Sequence, residues 1–285
     1  MIPIVLAGLA VLLAWVAPGL LARRHRFRRT PRAALVAWQA VTVGGILAAL
    51  AAAPAAVPLL VGGDTPLEHP WLVAAAGVLS GAVLVRLLVT GHDVGMRLRR
   101  VRARHREIVD VVGAPDEATG DVRVRVLQHP TPTAYCIPGR QSRVVLSQGV
   151  LDALPHDQLS AVVAHEHAHL RGRHDLLLEF FSVAHEAVPR PLHSDAALAE
   201  VSLLVEALAD RAAVRRSGEV ATARALVALA EGRTPDAALG AGTTAPVRLR
   251  LLADGPAPPA LTAVAYLVAV LAATLPLILL GVAWT

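Results

Sequence analysis

The sequence predicts a mainly α-helical membrane protein, with four transmembrane helices and, between the third and the fourth, one α+β domain carrying a small β-sheet. Two observations predict it. The 285 residues are 55% hydrophobic with a mean hydropathy of +0.54, above the usual range of soluble domains, and four nearly uncharged runs are long enough to span a bilayer. The polar residues gather instead in 91–260, a stretch of about 170 residues that suffices for a single folded core. Aromatic residues make up only 3%, so the apolar content is Ala, Val and Leu. All 27 basic residues are arginine. That bias reads as the codon composition of a GC-rich bacterial genome rather than as function.

The first run, Ile2 to Ala22, carries no charge. A cleaved signal peptide would need basic residues before the apolar core, whereas here the arginines follow it. Arg23, Arg24, Arg26, Arg28, Arg29 and Arg32 form a basic loop, and a second run extends from Ala33 to Val61. The loop from Gly62 to Pro70 holds Asp64 and Glu68 and no Arg or Lys. A third run, Trp71 to Thr90, is interrupted only by Arg86, whose long stem can snorkel. Arg97, Arg99, Arg100, Arg102, Arg104 and Arg106 follow it, and Leu261 to Ala283 is the fourth run, with Trp284 as an interfacial anchor. The organisation is therefore 1–90 with spans at 2–22, 33–61 and 71–90, a domain at 91–260, and a last span and tail at 261–285.

Basic loops stay in the cytoplasm. The expected topology is a multi-pass protein of the cell membrane with the 91–260 domain in the cytoplasm and both termini outside. The net charge of +5 is then mostly a topology signal. Direct nucleic-acid binding by the 97–106 cluster is not expected, because the cluster adjoins a span and lacks interleaved aromatics. The one cysteine, Cys136, excludes an intrachain disulfide and reads as a buried, inert thiol.

Inside the domain, Val122, Val124 and Val126 alternate with Arg123 and Arg125, the period of a half-exposed strand. Thr133 to Ile137 and Arg143 to Leu146 flank the turn pair Pro138-Gly139 and read as a hairpin. Pro155 and Asp157 open a helix whose core face includes Leu159, Val162 and Val163. A helix from Leu176 to Val188 follows, broken by Pro189 and Pro191. Another runs from Asp195 to about Arg216 with Gly218 as its stop, and Gly232 to Pro259 reads as loops.

The chemistry concentrates in Ala-His-Glu-His-Ala-His-Leu, residues 164–170, where His165, Glu166 and His169 spell H-E-x-x-H. Side chains four apart share a helical face. The two imidazoles can therefore hold one metal ion, with Glu166 placed as general base, the arrangement of a zinc-dependent hydrolase. Catalytic zinc needs a third protein ligand. Glu206 and Asp210 stand four apart on an otherwise Ala/Leu-rich helix. Glu206 would complete the coordination, and Asp210 would orient a ligand histidine. The competing reading is an exposed acidic face paired with Arg211 or Arg215.

These residues carry a resemblance. His165-Glu166-x-x-His169 followed by Glu206-x-x-x-Asp210 resembles the signature of the M48 and M56 metallopeptidases, a group of membrane proteases that includes the peptidase part of beta-lactam sensors. The likeness extends over roughly 120–255, through Ala134 to Gly139, Val144 to Ser147, Leu151, Leu154 and Gln158-Leu159, and on to Val247-Arg248-Leu249-Arg250-Leu251-Leu252. It implies a zincin-like fold and one Zn2+ per chain. It makes His165, His169 and Glu206 the ligands, Glu166 the base and Asp210 the orienting acid, and it makes the strand around Val144 the edge along which a peptide lies. The expected activity is a membrane-integral zinc endopeptidase acting on a protein or peptide substrate. Three spans before the domain and one after resemble the sensors, which implies limited proteolysis of a cytosolic regulator such as a transcriptional repressor. In the sensors a penicillin-binding domain follows the last span, whereas this sequence stops at Thr285, so beta-lactam sensing by the chain itself is not expected. The alternatives are HtpX-like quality control of membrane proteins and a non-catalytic metal-binding scaffold, against which an intact Glu166 argues. Of the other histidines, His167 should face away from the metal, His174 should lie on another face at the surface, and His185-Glu186 lacks a second histidine at the right spacing. His193 and Arg248 both stay open as oxyanion donors.

Overall fold

The computed structural model describes residues 1–61, 70–116, 121–189, 195–231, 244–255 and 257–285. Asp64, Glu68, Pro191 and His193 lie outside them. The chain divides into two compact units: Met1–Val94 with Phe180–Val201 and Ala257–Thr285, and Gly95–Glu179 with Ser202–Pro256.

The first unit is helical. Helix α1 (Ile2–Val11), a π-helical turn (Leu12–Val16) and α2 (Ala17–Ala22) run on as one span, and a 3-10 turn (His25–Arg29) follows. Next come α3 (Pro31–Ala56) and the short α4 (Pro58–Val61), so the second apolar run is helical to Ala56 and restarts after Val57. Helix α5 (Pro70–Val112) begins in this unit, and α12 (Pro259–Val282) closes it. Four helices, Ile2–Ala22, Pro31–Ala56, Pro70–Val112 and Pro259–Val282, are long and apolar enough to cross a membrane, which makes this a multi-pass membrane protein.

Helix α3 is the centre of the bundle and packs against α1 and α12. Its buried face is a run of small residues, among them Ala37, Gly44, Ala48 and Ala52. Small residues let backbones approach closely where no hydrophobic force drives helices together. At Gly44 any Cβ would strike the carbonyl of Ala272. Large apolar side chains such as Val78, Leu88, Leu267 and Ile278 are left exposed on the outer faces, as a lipid-facing surface requires.

Two polar contacts tie the other segments of this unit together. Arg28 forms a two-pronged ion pair with the buried Glu200, at 2.8 and 2.6 Å. Arg86 does not simply snorkel. Its guanidinium donates to the carbonyls of Glu186, Ala187 and Val188, the last of these at 3.3 Å. Carbonyls at the end of a helix have no helical partner and carry partial negative charge, so an arginine there satisfies both.

In the second unit α5 runs on to Val112, 22 residues past the expected end of the span at Thr90. The arginines at 97–106 therefore lie on a helix rather than in a loop. Four strands follow: β1 (Ala114–Pro115), β2 (Val124–Leu127), β3 (Ala134–Ile137) and β4 (Arg143–Ser147), in the order β1-β2-β4-β3. The β3–β4 hairpin forms as its turn pair predicts, but β4 also pairs with β2 in parallel. This corrects the expected substrate edge. The strand around Val144 is interior to the sheet, and β3, like β1, is an outer strand.

The sheet is covered on both faces. Val124, Val144 and Leu146 pack with Val162 of α7 (His156–Arg171) and Ala225 of α10 (Glu219–Glu231), while Val145 and Ile137 pack with Val109 of α5. A short helix α6 (Gln148–Ala153), capped by the Ser147 side chain, leads from β4 into α7. Helix α8 (His174–Ala187) and helix α9 (Asp195–Ser217) follow, with Gly218 at φ +83° ending α9 as expected. The stretch read as loops contains one more helix, α11 (Ala245–Ala253). Pro246 sits in its first turn, where a missing N–H costs nothing.

Candidate metal centre and active site

Helix α7 carries the H-E-x-x-H residues on one face, and α9 brings Glu206 and Asp210 to meet them. His165 Nε2 and His169 Nε2 lie 3.1 Å apart, and each is 3.4 Å from a Glu206 oxygen. Among the described residues these three form the one group arranged to hold a metal ion. A tetrahedral zinc with bonds of about 2.0–2.1 Å needs donors about 3.3 Å apart. The triangle fits.

The charges fit as well. Asp210, 3% exposed, accepts from His165 Nδ1 at 3.0 Å, which fixes the ring proton on Nδ1 and leaves the Nε2 lone pair pointing into the triangle. Arg248, on α11, donates to both Asp210 oxygens, at 2.8 and 2.5 Å, and reaches Glu206 at 2.9 Å. It is buried, and its guanidinium holds both carboxylates in place. Neither acid forms the exposed face that competed with the metal reading.

Burial opposes ionisation of Glu206, but the bond from His165 and the Arg248 charge bring its pKa to about 2. Asp210 is likewise held below the usual range by Arg248 and His165 against its burial. Burial pulls His165 down, yet the Asp210 and Glu206 carboxylates carry it up to about 9. His169, buried and without a carboxylate in contact with its Nδ1, falls to about 4. Glu206 and Asp210 are thus ionised beside the point where the three donors converge, against the single charge of Arg248, and a divalent cation answers that field.

Glu166 is 8% exposed, and burial raises its pKa above that of an ordinary carboxylate. The Cys136 thiol, on β3, hydrogen-bonds it, and burial followed by the Glu166 charge pushes that thiol up. Cys136 is thus only partly buried and faces the centre, a contact the sequence reading missed. The site opens into a cavity of about 300 Å³ whose lining includes the aliphatic Ala225, Leu226 and Leu229. Residues Ala134 to Cys136 form one wall. The Ser147 N–H bonds the Thr133 carbonyl, so by antiparallel alternation Tyr135 and Ile137 bond to β4. Ala134 and Cys136 then turn their backbone N–H and C=O to the open edge.

Of the remaining histidines, His167 points away toward Asp121 at 3.5 Å, as expected, and His185 meets Asp195 at 3.0 Å. His174 corrects an expectation. It is not at the surface but 7% exposed, with Nδ1 3.0 Å from His169 Nδ1.

A mainly helical chain with four membrane helices, a small mixed sheet and this centre is a membrane metallopeptidase. Residues 96–262, more than half of its length, match peptidase family M48, and the chain belongs to that family. No curated protein and no solved structure matches it.

Proposed function

We propose that this chain is a membrane-integral zinc endopeptidase with His165, His169 and Glu206 as ligands, Glu166 as general base and Asp210 as the acid that orients His165. The observation that carries the reading is the convergence of the three donors at 3.1–3.4 Å beside a buried carboxylate. Zinc held there would polarise a peptide carbonyl and acidify a water molecule. Glu166 takes the proton from the attacking water and passes it to the leaving amine, a role suited to a carboxylate whose pKa burial has raised. An extended peptide adds to the open edge of β3, pairing with the backbone groups of Ala134 and Cys136. With its identified donors engaged by Asp210 and Glu206, Arg248 is assigned to holding those acids rather than to the oxyanion.

The activity is tested with the purified full-length protein in detergent. Cleavage of an unfolded protein substrate should be abolished by a chelator and restored by zinc. Chelator-resistant cleavage would rule the reading out.

The peptidase domain is assigned to the cytoplasm with both termini outside, and its substrate to a cytosolic regulator. The arginine clusters support this. The order of three spans and one, similar to that of the beta-lactam sensors, favours limited proteolysis of a regulator. Reporter fusions after Asp64, Gly232 and Thr285 should read outside, inside and outside. An outside reading at Gly232 would sink the topology and the cytosolic substrate together.

A further inference from the structure

We infer that His174 is a positioning residue for the metal centre, the acceptor that fixes the proton and the ring plane of His169 as Asp210 does for His165. The inference rests on the ligand assignment above. For His169 Nε2 to offer a lone pair, its proton must sit on Nδ1, and that N–H needs an acceptor. The acceptor in place is His174 Nδ1, at 3.0 Å, with the two rings edge to face at 90° and their centroids 4.9 Å apart. Donation from His169 leaves the His174 proton on Nε2, so both rings are neutral and each has one defined tautomer.

The backbone between the two helices is shaped to bring this ring in. Helix α7 ends at Arg171 and α8 begins at His174, with only Gly172 and Arg173 between. Arg173 has φ 50°, the one described residue other than glycine with positive φ. A residue with a side chain enters the left-handed region only against a steric cost, and such strain persists where the surroundings enforce it. The turn swings His174 back over Gly172. A Cβ at 172 would lie 2.5 Å from His174 Nε2 and 2.7 Å from its Cδ2, so only glycine leaves room for the ring. A left-handed arginine, a glycine without space for a methyl and a buried imidazole all serve the one contact with His169.

The two ligand histidines are therefore unequal. His165 is backed by a carboxylate that Arg248 clamps, and His169 by a neutral ring. A neutral acceptor adds less negative charge to the centre than a second carboxylate would, while still fixing the tautomer and the plane of the ring.

The test is zinc affinity of the full-length protein in detergent, by chelator competition, together with the absorption spectrum of the cobalt-loaded form. Both readouts are independent of proteolysis. His174→Leu and His174→Asn have nearly the same shape, but only Asn offers an acceptor close to where Nδ1 stands. His174→Leu should weaken zinc by about 10–100-fold, the range for outer-shell partners of metal ligands, and should alter the cobalt spectrum. His174→Asn should recover most of the affinity and the parental spectrum. Gly172→Ala should reproduce the Leu defect by pushing the ring aside without touching its chemistry. Circular dichroism and melting curves confirm that each variant is folded. Parental affinity in His174→Leu and Gly172→Ala would overturn the inference, as would an Asn variant that is folded and as weak as Leu. His169→Ala separates the two levels of the argument. If it loses zinc while His174→Leu keeps it, His174 alone is misassigned. If it keeps zinc, the ligand reading fails and this inference falls with it.

Discussion

Glu166→Gln is expected to abolish proteolysis while leaving the zinc in place. General acid–base catalysis by a positioned side chain is typically worth about 10²–10⁴-fold, and the rate should fall by that order. The amide has the shape of the carboxylate, and its oxygen can still accept from the Cys136 thiol, so packing around the 8%-exposed side chain should survive. What it loses is the capacity to take a proton. Glu166 is not among the three convergent donors, so metal content should match the parent. Rates on an unfolded protein substrate, with zinc measured on the same samples, decide the matter. A variant that cleaves at the parental rate would remove Glu166 as the base. In cells the same pair identifies the substrate, as the protein whose cleaved form appears with the parent and is missing with Glu166→Gln.

Local pattern made part of this architecture legible and left the rest dark for physical reasons. The spans were readable because hydropathy is a local sum. Where α5 ends was not. Arginines at 97–106 mark the end of the apolar environment, but nothing after Pro70 interrupts the helix, which continues to Val112. The candidate positions His165, Glu166 and His169 on α7, and Glu206 and Asp210 on α9, could be singled out from spacing along a straight helix. The same rule misplaced His174, because the helix ends at Arg171 and a left-handed Arg173 returns the chain toward His169. Strand order is a non-local property. The hairpin was visible at Pro138-Gly139, yet the parallel pairing of β2 with β4, which leaves β3 at the edge, has no local signature. The same holds for Arg248. Its segment could be singled out, but its partners, Asp210 and Glu206, lie 38 and 42 positions away.

Glu206→Ala is expected to remove the zinc altogether. The carboxylate does two things at once. In the proposed centre it supplies the third donor, 3.4 Å from a nitrogen of each of His165 and His169, and it accepts from Arg248 at 2.9 Å. Truncation leaves two histidines, short of the three protein ligands that catalytic zinc requires. It also leaves the buried guanidinium with one carboxylate fewer, so the field at the site turns against a cation. The loss should exceed the about 10–100-fold typical of removing an outer-shell partner. Glu206→Gln separates the two effects. It keeps an oxygen near the donor position and the contact to Arg248 but lacks the negative charge that Glu206 carries with a pKa of about 2, and its affinity should lie between parent and alanine. Zinc per chain after purification from zinc-replete medium, followed by chelator titration, measures all three proteins on one scale. Undiminished zinc in Glu206→Ala would take Glu206 out of the coordination sphere and leave Asp210, already bonded to His165 at 3.0 Å, as the acid to examine in its place.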